Sequence, residues 1–203
     1  MKLFYMPGAC SLAPHIALRE AGLPFDLEAV DRSKKTGSGE DYFAINPKGA
    51  VPAIKLDDGQ VLTEAAVIQQ YIADKVPAKK LAPAAGTPER YRLQEWLNYI
   101  ASELHKGIGQ LFNPAMPDDY KDAVKKGLAG KQFAYLEKKL AGRDYLMGDF
   151  TIADGYLFTV LNWTNFHKID LSAFPNVVAF MKRVAARPAV QAAMGAEGLL
   201  KAA

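Results

Sequence analysis

The sequence is poor in the residues that most often announce chemistry: one cysteine, three histidines and two tryptophans in 203 residues. A single cysteine excludes an intramolecular disulfide and fits a reducing, cytoplasmic setting. None of His15, His105 and His167 has a second His, Cys or carboxylate at metal-ligand spacing, so no metal is expected. The net charge of +3 gives no case for nucleic acid. No apolar run approaches the roughly eighteen residues that span a bilayer. Pro7, Gly8 and Ser11 interrupt the N-terminus before a signal-peptide core can form. Internal repeats and low-complexity segments are also missing. What remains is half hydrophobic and 23% charged, an ordinary globular balance with room for one large domain or two small ones.

The order of elements is legible from pattern. "KLFY" (2–5) is a short, partly aromatic run stopped by Pro7-Gly8, which suits a buried strand. Leu12, Ile16, Leu18 and Leu23 follow a helical pattern; Ser11 is a candidate N-cap, Pro14 is tolerated in the first turn, and Gly22 is placed to end the helix. "FDLEAV" alternates as a second strand, so the first thirty residues predict a parallel βαβ unit. "DRSKKTGSGEDY" is polar and Gly-containing and is expected to be a mobile surface loop. "GAVPAIKLDDGQVLTEAAVIQQYIADKV" reads as strand, tight turn, strand and helix, with Asp58-Gly59 as a two-residue hairpin signal. A Pro/Ala/Gly-rich linker, 78–87, separates this unit, 1–77, from a helical one, 88–203. There Leu93, Leu97, Ile100, Leu104, Ile108 and Leu111 form one apolar face, and further helices are expected near 118–140, 152–166, 175–186 and 188–194. The expected fold class is an α/β N-terminal domain followed by an all-α C-terminal domain.

The solitary thiol, Cys10, lies in a Pro-Gly loop just before the first helix. A helix N-terminus favours an anion, and a thiolate there has its pKa lowered from about 8.5 to roughly 3.5–7.5. The alternative is a small buried hydrophobe, a common fate of free cysteine. "CSLA" has no second cysteine, so a dithiol mechanism is excluded and a redox role needs an external thiol. Val51-Pro52 opens the third strand, and sequence alone does not make that bond cis. Thr63-Glu64 precedes the third helix, either as an ordinary cap or as a site for a carboxylate or ammonium group. On the long helix, Asn98, Ser102 and His105 are spaced by four and three and share a polar stripe beside the apolar face. Such a stripe is either solvent-facing or the wall of an interdomain cleft. Gly107 and Gly109 each cost about 1 kcal/mol inside a helix, which points to close packing or a bend. Thr151-Ile152-Ala153-Asp154 is a capping-box variant with a folding role. His15 is expected in the domain core or against a partner subunit, and His167 has no evident partner.

These residues carry a family resemblance. The βαβ–ββα order with a proline before strand three resembles a thioredoxin-like domain. "NPKGAVPAIKLDDGQVLTEAAVIQQYIAD" resembles the glutathione-binding half of the cytosolic glutathione transferases. "FTIADGYLF" and "FPNVVAFMKRVAARPAVQAA" resemble their helical half, and "PGACS" with "WLNYIASELHKG" is similar to the bacterial, cysteine-bearing beta class. The resemblance covers nearly the whole chain. It implies a homodimer that conjugates glutathione, as co-substrate with no tightly bound cofactor, to small hydrophobic electrophiles in detoxification or catabolism.

Residue by residue, the resemblance places Cys10 opposite the glutathione sulfur and the Val51 backbone on its cysteinyl part, beside a cis Pro52. It places Glu64 and Ala65 at the γ-glutamyl end and Lys34 or Lys35 at the glycyl carboxylate. It adds Asn98, Ser102, Glu103, His105 and Lys106 from the helical half. Cys10, Ser11 and His105 are the implied catalytic groups, Ser11 and His105 as stabilisers of the thiolate. Tyr5, at the end of strand one, ranks below them. Phe112, Met116, Trp163 and Phe166 are the candidate wall of an apolar electrophile pocket. Two departures stand out. Ala65 replaces the family's Ser/Thr and removes one hydrogen bond to the γ-glutamyl carboxylate, worth about 0.5–1.5 kcal/mol. Gly155 stands where a staple partner of Phe150 is expected. Glutathione-dependent thiol–disulfide exchange through Cys10 and a non-catalytic ligand-binding role remain as alternatives.

Overall fold

The computed structural model describes residues 1–200. β1 (Lys2–Tyr5), α1 (Leu12–Ala21) and β2 (Asp26–Ala29) form the expected unit, with β1 and β2 parallel. α1 forms with Leu12, Ile16 and Leu18 buried, and it ends where Gly22 turns left-handed at φ 68°. The polar loop that follows folds back on itself. Asp31 accepts from Ser33 Oγ and the Lys35 N–H, and bridges join Val30 to Thr36 and Lys35 to Asp41. It leads into a one-turn helix that the sequence pattern did not reveal, α2 (Tyr42–Ile45), capped by Asp41.

β3 (Ala53–Lys55) and β4 (Val61–Thr63) complete a mixed sheet of order β2-β1-β3-β4, with β3 antiparallel to both neighbours. Their turn is wider than the two-residue hairpin expected from Asp58-Gly59. The strands stop at Lys55 and Val61, and the Leu56 N–H closes the loop on the Gln60 carbonyl. α3 (Ala65–Lys75) then packs beside α1.

The Pro/Ala/Gly-rich stretch is pinned rather than loose. Leu81 is buried and its carbonyl accepts from the Ile152 N–H at 3.0 Å, while Arg90 binds both Asp74 oxygens and the Pro83 carbonyl. α4 (Pro88–Tyr99) starts on a Thr87 cap with proline at its first position. It does not continue as one α-helix. Residues Ile100–His105 are π-helical, followed by α5 (Lys106–Gly109) and a 3₁₀ turn, Gln110–Phe112. The expected 118–140 helix is likewise α6 (Asp118–Gly127), a π turn over Leu128–Phe133 and α7 (Ala134–Leu140). The 152–166 helix breaks at Asn162 into α8 (Ile152–Leu161) and α9 (Trp163–Phe166). α10 (Pro175–Ala185) and α11 (Pro188–Ala196) close the fold.

The glycines of the helical half act through close approach. A Cβ at Gly107 would meet Leu128 at 3.0 Å. One at Gly155 would meet Ile16 at 3.4 Å, so the missing staple residue is where α8 packs on α1. Asp154, fully buried, accepts from the N–H and hydroxyl of Thr151 and from the Leu146 N–H, the folding role expected of the capping box.

The two halves are tied at the loop that carries Cys10. Arg19 donates to His15 Nε2 at 3.0 Å, so the ring's proton lies on Nδ1, which meets Glu197 Oε1 at 2.8 Å. The other oxygen of Glu197 accepts from the Gly8 N–H at 2.9 Å, and the Gly8 carbonyl accepts from Trp163 Nε1 at 2.8 Å. Gly8 is therefore held through both its N–H and its carbonyl by the helical half. His15 and Glu197 are fully or almost fully buried in this junction. His15 thus belongs to the interdomain core.

Candidate functional site

Two cavities meet at Cys10. The smaller, about 240 Å³, lies between the sheet and the long helix. Its floor is Cys10, Val51 and Pro52, joined by a cis peptide bond; its sheet-side wall is Asn46, Lys48, Thr63, Glu64 and Ala65, and its helical wall is Ala101, His105, Lys106 and Tyr156. The larger, about 670 Å³, opens on the other side of the same thiol and is lined by Met6–Cys10, Arg32, His105, Gly109, Phe112, Pro114, Trp163 and Phe166.

Cys10 departs from the low pKa expected at a helix start. Its Sγ–H donates to the Val51 carbonyl at 3.2 Å, and burial pushes the thiol up to about 11. The N–H groups of Cys10 and Ser11 and the ammonium of Lys106 pull the other way and lose, while Glu64 adds to the rise. Cys10 is a neutral donor in this arrangement. Ser11 is also displaced from its expected role. Its hydroxyl is fully buried, donates to the Met6 carbonyl and accepts from the Met6 N–H, which staples the loop and leaves nothing for a substrate thiol. Nor does its side chain cap α1. Tyr5 lines neither cavity.

His105 lines both cavities. Burial, and next the adjacent Lys106, lower its pKa to about 4, so the ring is neutral at physiological pH. Nδ1 is 2.8 Å from the Tyr156 hydroxyl, and the ring stands edge-on to Trp163 at 5.0 Å. Burial raises Tyr156 well above an ordinary phenol, so its proton stays. When that phenol donates to Nδ1, the ring proton sits on Nε2, free to donate toward the cavities.

Glu64 adopts φ 71° and ψ 117°, a conformation that L side chains rarely take. The strained residue turns the chain abruptly from β4 into α3. It leaves the first N–H groups of the helix, at Ala65 and Ala66, without intrahelical acceptors beside the cavity. The exposed Glu64 carboxylate pairs with Lys48 Nζ at 2.6 Å, and Lys48 also reaches Thr63 Oγ1 at 3.0 Å.

The structure thus brings Cys10, Val51, Pro52, Glu64, Ala65, His105 and Lys106 together around the smaller cavity. Lys34 and Lys35 are not among its lining, because the loop that bears them closes on the Asp31 carboxylate. Asn98, Ser102 and Glu103 are also not among it. The shared stripe assumed α-helical winding, and the π turn over 100–105 places Ala101, His105 and Lys106 together instead. Glu103 lies 4.0 Å from Lys131. On the apolar side, Phe112, Trp163 and Phe166 line the larger cavity, but Met116 packs against the core. His167 meets Phe112 edge-on, with ring centres 4.3 Å apart, and among the described residues its buried Nε2 has no hydrogen-bond partner.

Sequence reading missed Asn46, Lys48, Tyr156 and Arg32 as lining residues, whereas Thr63 was already a candidate beside Glu64. Tyr156 left a signal: a phenol one turn inside an apolar helix needs a partner for its hydroxyl. Lys48 stood in the quoted "NPKG" run, but nothing in its spacing distinguished it from the other lysines. No three His, Cys, Asp or Glu residues cluster as metal ligands among the described residues. Among them, no helix is long and apolar enough to cross a membrane.

Comparison with known proteins fits this geometry. The glutathione S-transferase N-terminal domain family matches residues 8–75, and the C-terminal domain family matches residues 81–188. The chain belongs to the glutathione S-transferase family. It is 52% identical to glutathione S-transferase GstA of Escherichia coli O157:H7 over 201 residues, which cover 98% of this chain and all of the relative. A sphingomonad glutathione S-transferase complexed with glutathione superposes with a TM-score of 0.94 at 49% identity, covering 98% of this chain and all of the other. A bacterial beta-class glutathione S-transferase of Sphingomonas chungbukensis gives 0.95 at 46% identity, with the same coverage. In this member of the family, the thioredoxin-like half supplies the smaller cavity's floor and sheet-side wall, and the helical half supplies most of the aromatic wall.

Proposed function

We propose that this chain joins the glutathione thiol to small hydrophobic electrophiles, in detoxification or catabolism. The observation that carries the reading is that Cys10 and His105 line both cavities, so a thiol bound in the polar one faces an electrophile in the aromatic one. Glutathione is a co-substrate here. Its γ-glutamyl end lies at Glu64 and the free N–H groups of α3, its cysteinyl part runs along the Val51 backbone at cis Pro52, and Lys48 and Lys106 supply positive charge. His105 donates from Nε2 to the developing thiolate. The thiol proton passes to solvent, the sulfur bonds to the electrophilic carbon, and the leaving group departs with its bonding pair, while the site holds the reactants close together.

A neutral Cys10 suits this chemistry, since two adjacent thiolates would repel. The same burial weighs against thiol–disulfide exchange through Cys10, because the thiolate is the nucleophile in that reaction. Ala65 favours a weakened site, the mark of a ligand-binding protein. Three measurements separate the readings: glutathione affinity by calorimetry, conjugation rate, and the rate of Cys10→Ala. Conjugation that survives in Cys10→Ala within a few-fold supports the transferase. Collapse of the rate in Cys10→Ala favours exchange, and glutathione binding without turnover favours the binding protein.

The proposed domain limits are 1–77 and 88–203 with the linker 78–87; Lys201–Ala203 lie outside the described residues. We place the protein in the cytoplasm as a homodimer. Phe43, Val67 and Tyr91, at 49%, 47% and 63% exposure, are apolar surface for a second copy to cover. Light scattering at micromolar concentration gives twice the chain mass if this is right.

A further inference from the structure

The aromatic cavity carries a single permanent charge, and among the described residues no carboxylate pairs with it. Phe112, Trp163 and Phe166 form an edge-to-face and tilted cluster, with ring centres 5.6 Å (Phe112–Trp163) and 6.2 Å (Phe112–Phe166) apart. Across from them the loop Met6–Cys10 offers apolar side chains and backbone. Among the described residues no carboxylate lines this cavity, and His105 is neutral there. Arg32 stands in the lining and is exposed to solvent. Among the described residues its guanidinium makes no hydrogen bond and no ion pair. Arg143, which does not line this cavity, is the other arginine whose guanidinium has no such partner among the described residues. Arg19, Arg90, Arg92, Arg183 and Arg187 are engaged by His15, Asp74, Glu95, Asp144 and Glu20 respectively. The neighbouring Asp31 has its carboxylate occupied by Ser33 and the Lys35 N–H.

We propose that this cavity prefers aromatic electrophiles that carry a carboxylate, with Arg32 as the residue that meets the anion. The inference rests on the transferase reading above and adds the substrate class. An aromatic ring fits between the three aromatic side chains, where edge-to-face contacts add to burial. A guanidinium matches a carboxylate with two parallel hydrogen bonds, which an ammonium does not. At the rim the anion keeps part of its hydration, so binding does not require a fully desolvated charge pair. A neutral electrophile leaves Arg32 in water at no cost. The selectivity is therefore a preference and not an exclusion.

The test uses a matched pair of chloroarenes, 4-chloro-3,5-dinitrobenzoate and neutral 1-chloro-2,4-dinitrobenzene. In each reaction the glutathione sulfur bonds to the chlorine-bearing carbon, chloride leaves with the bonding pair, and the thiol proton goes to buffer. The readout is the ratio of kcat/KM for the benzoate to that for the neutral substrate. In Arg32→Gln the ratio falls roughly five-fold, the scale of an exposed ion pair. In Arg32→Lys it recovers in part, and in Arg32→Glu it falls further. An unchanged ratio in Arg32→Gln overturns the proposal while leaving the transferase intact. Binding of 3,5-dinitrobenzoate, followed by quenching of tryptophan fluorescence through Trp163 in the cavity wall, supplies a readout that needs no turnover. If wild type conjugates neither substrate, the transferase reading fails. Weaker quenching in Arg32→Gln than in wild type then still supports the anion site, and equal quenching overturns it.

Discussion

The two cavities that share Cys10 are built in opposite ways. The smaller draws its floor and sheet-side wall mainly from Asn46–Pro52 and Thr63–Ala65, joined by one β-hairpin, and much of what it offers is backbone: the Val51 carbonyl and the first N–H groups of α3. The larger is made almost entirely of side chains, from a loop near residue 8, a helix near 112 and another near 163. A site of backbone groups is fixed once the chain turns correctly. A site of side chains changes with every substitution, which is why the first suits one invariant co-substrate and the second suits variable ones.

That contrast is open to direct attack. The largest expected effect is Trp163→Ala, which removes a 4%-exposed indole and its bond to the Gly8 carbonyl. It should destabilise the fold by about 3–5 kcal/mol. KM for the electrophile should rise far more than KM for glutathione; equal rises would mean that the cavities are not separate in function. Glu64→Gly should act in reverse. Removing the Cβ at positive φ stabilises by about 1 kcal/mol, while loss of the carboxylate raises KM for glutathione and leaves the electrophile alone. A fall in Tm would show that Glu64 is not strained.

Lys48→Ala breaks an exposed pair whose side chains are 58% and 65% accessible, so stability should change by at most about 1 kcal/mol. Any effect then reads out in glutathione KM. A pH dependence is expected from His105. With its folded pKa lowered to about 4 from 6.5, the unfolded chain binds a proton over that interval and the native chain does not. Stability owed to this group is complete above pH 6.5 and declines as pH falls toward 4. Imidazole nitrogen NMR shifts should stay at their neutral values at pH 5.5, and protonated shifts there would remove the neutral donor from the site.

Most of the element order was legible because elements carry local punctuation: Pro7-Gly8, Gly22 at the end of α1, the Pro/Ala/Gly-rich linker, and Thr151 with Asp154. The floor of the smaller cavity was legible through resemblance in "NPKGAVPAI" and "TEAA". Less was legible where geometry overrides periodicity. The stripe Asn98–Ser102–His105 counted residues as if α-helical, and the π turn rearranges which of them share a wall. Ser11 read as a cap or a donor to substrate, but Met6 takes both roles of its hydroxyl. The sequence left Cys10 open between a lowered-pKa thiolate and a small buried hydrophobe. Proximity to a helix start is a property of sequence, whereas the burial that outweighs it comes from residues far away in the chain.

By itself the sequence determined the class of fold, the split into a strand-bearing half and a helical half, and which segment could hold a thiol, since propensity, turn residues and apolar period act over a few residues. Only the tertiary structure decided that Cys10 keeps its proton, that Tyr156 partners His105, that Glu197 reaches back to grip Gly8, and that Arg32 stands at the rim of an aromatic cavity. Each of those depends on desolvation or on contact between segments distant in the chain, and both are set by packing rather than by neighbours in sequence.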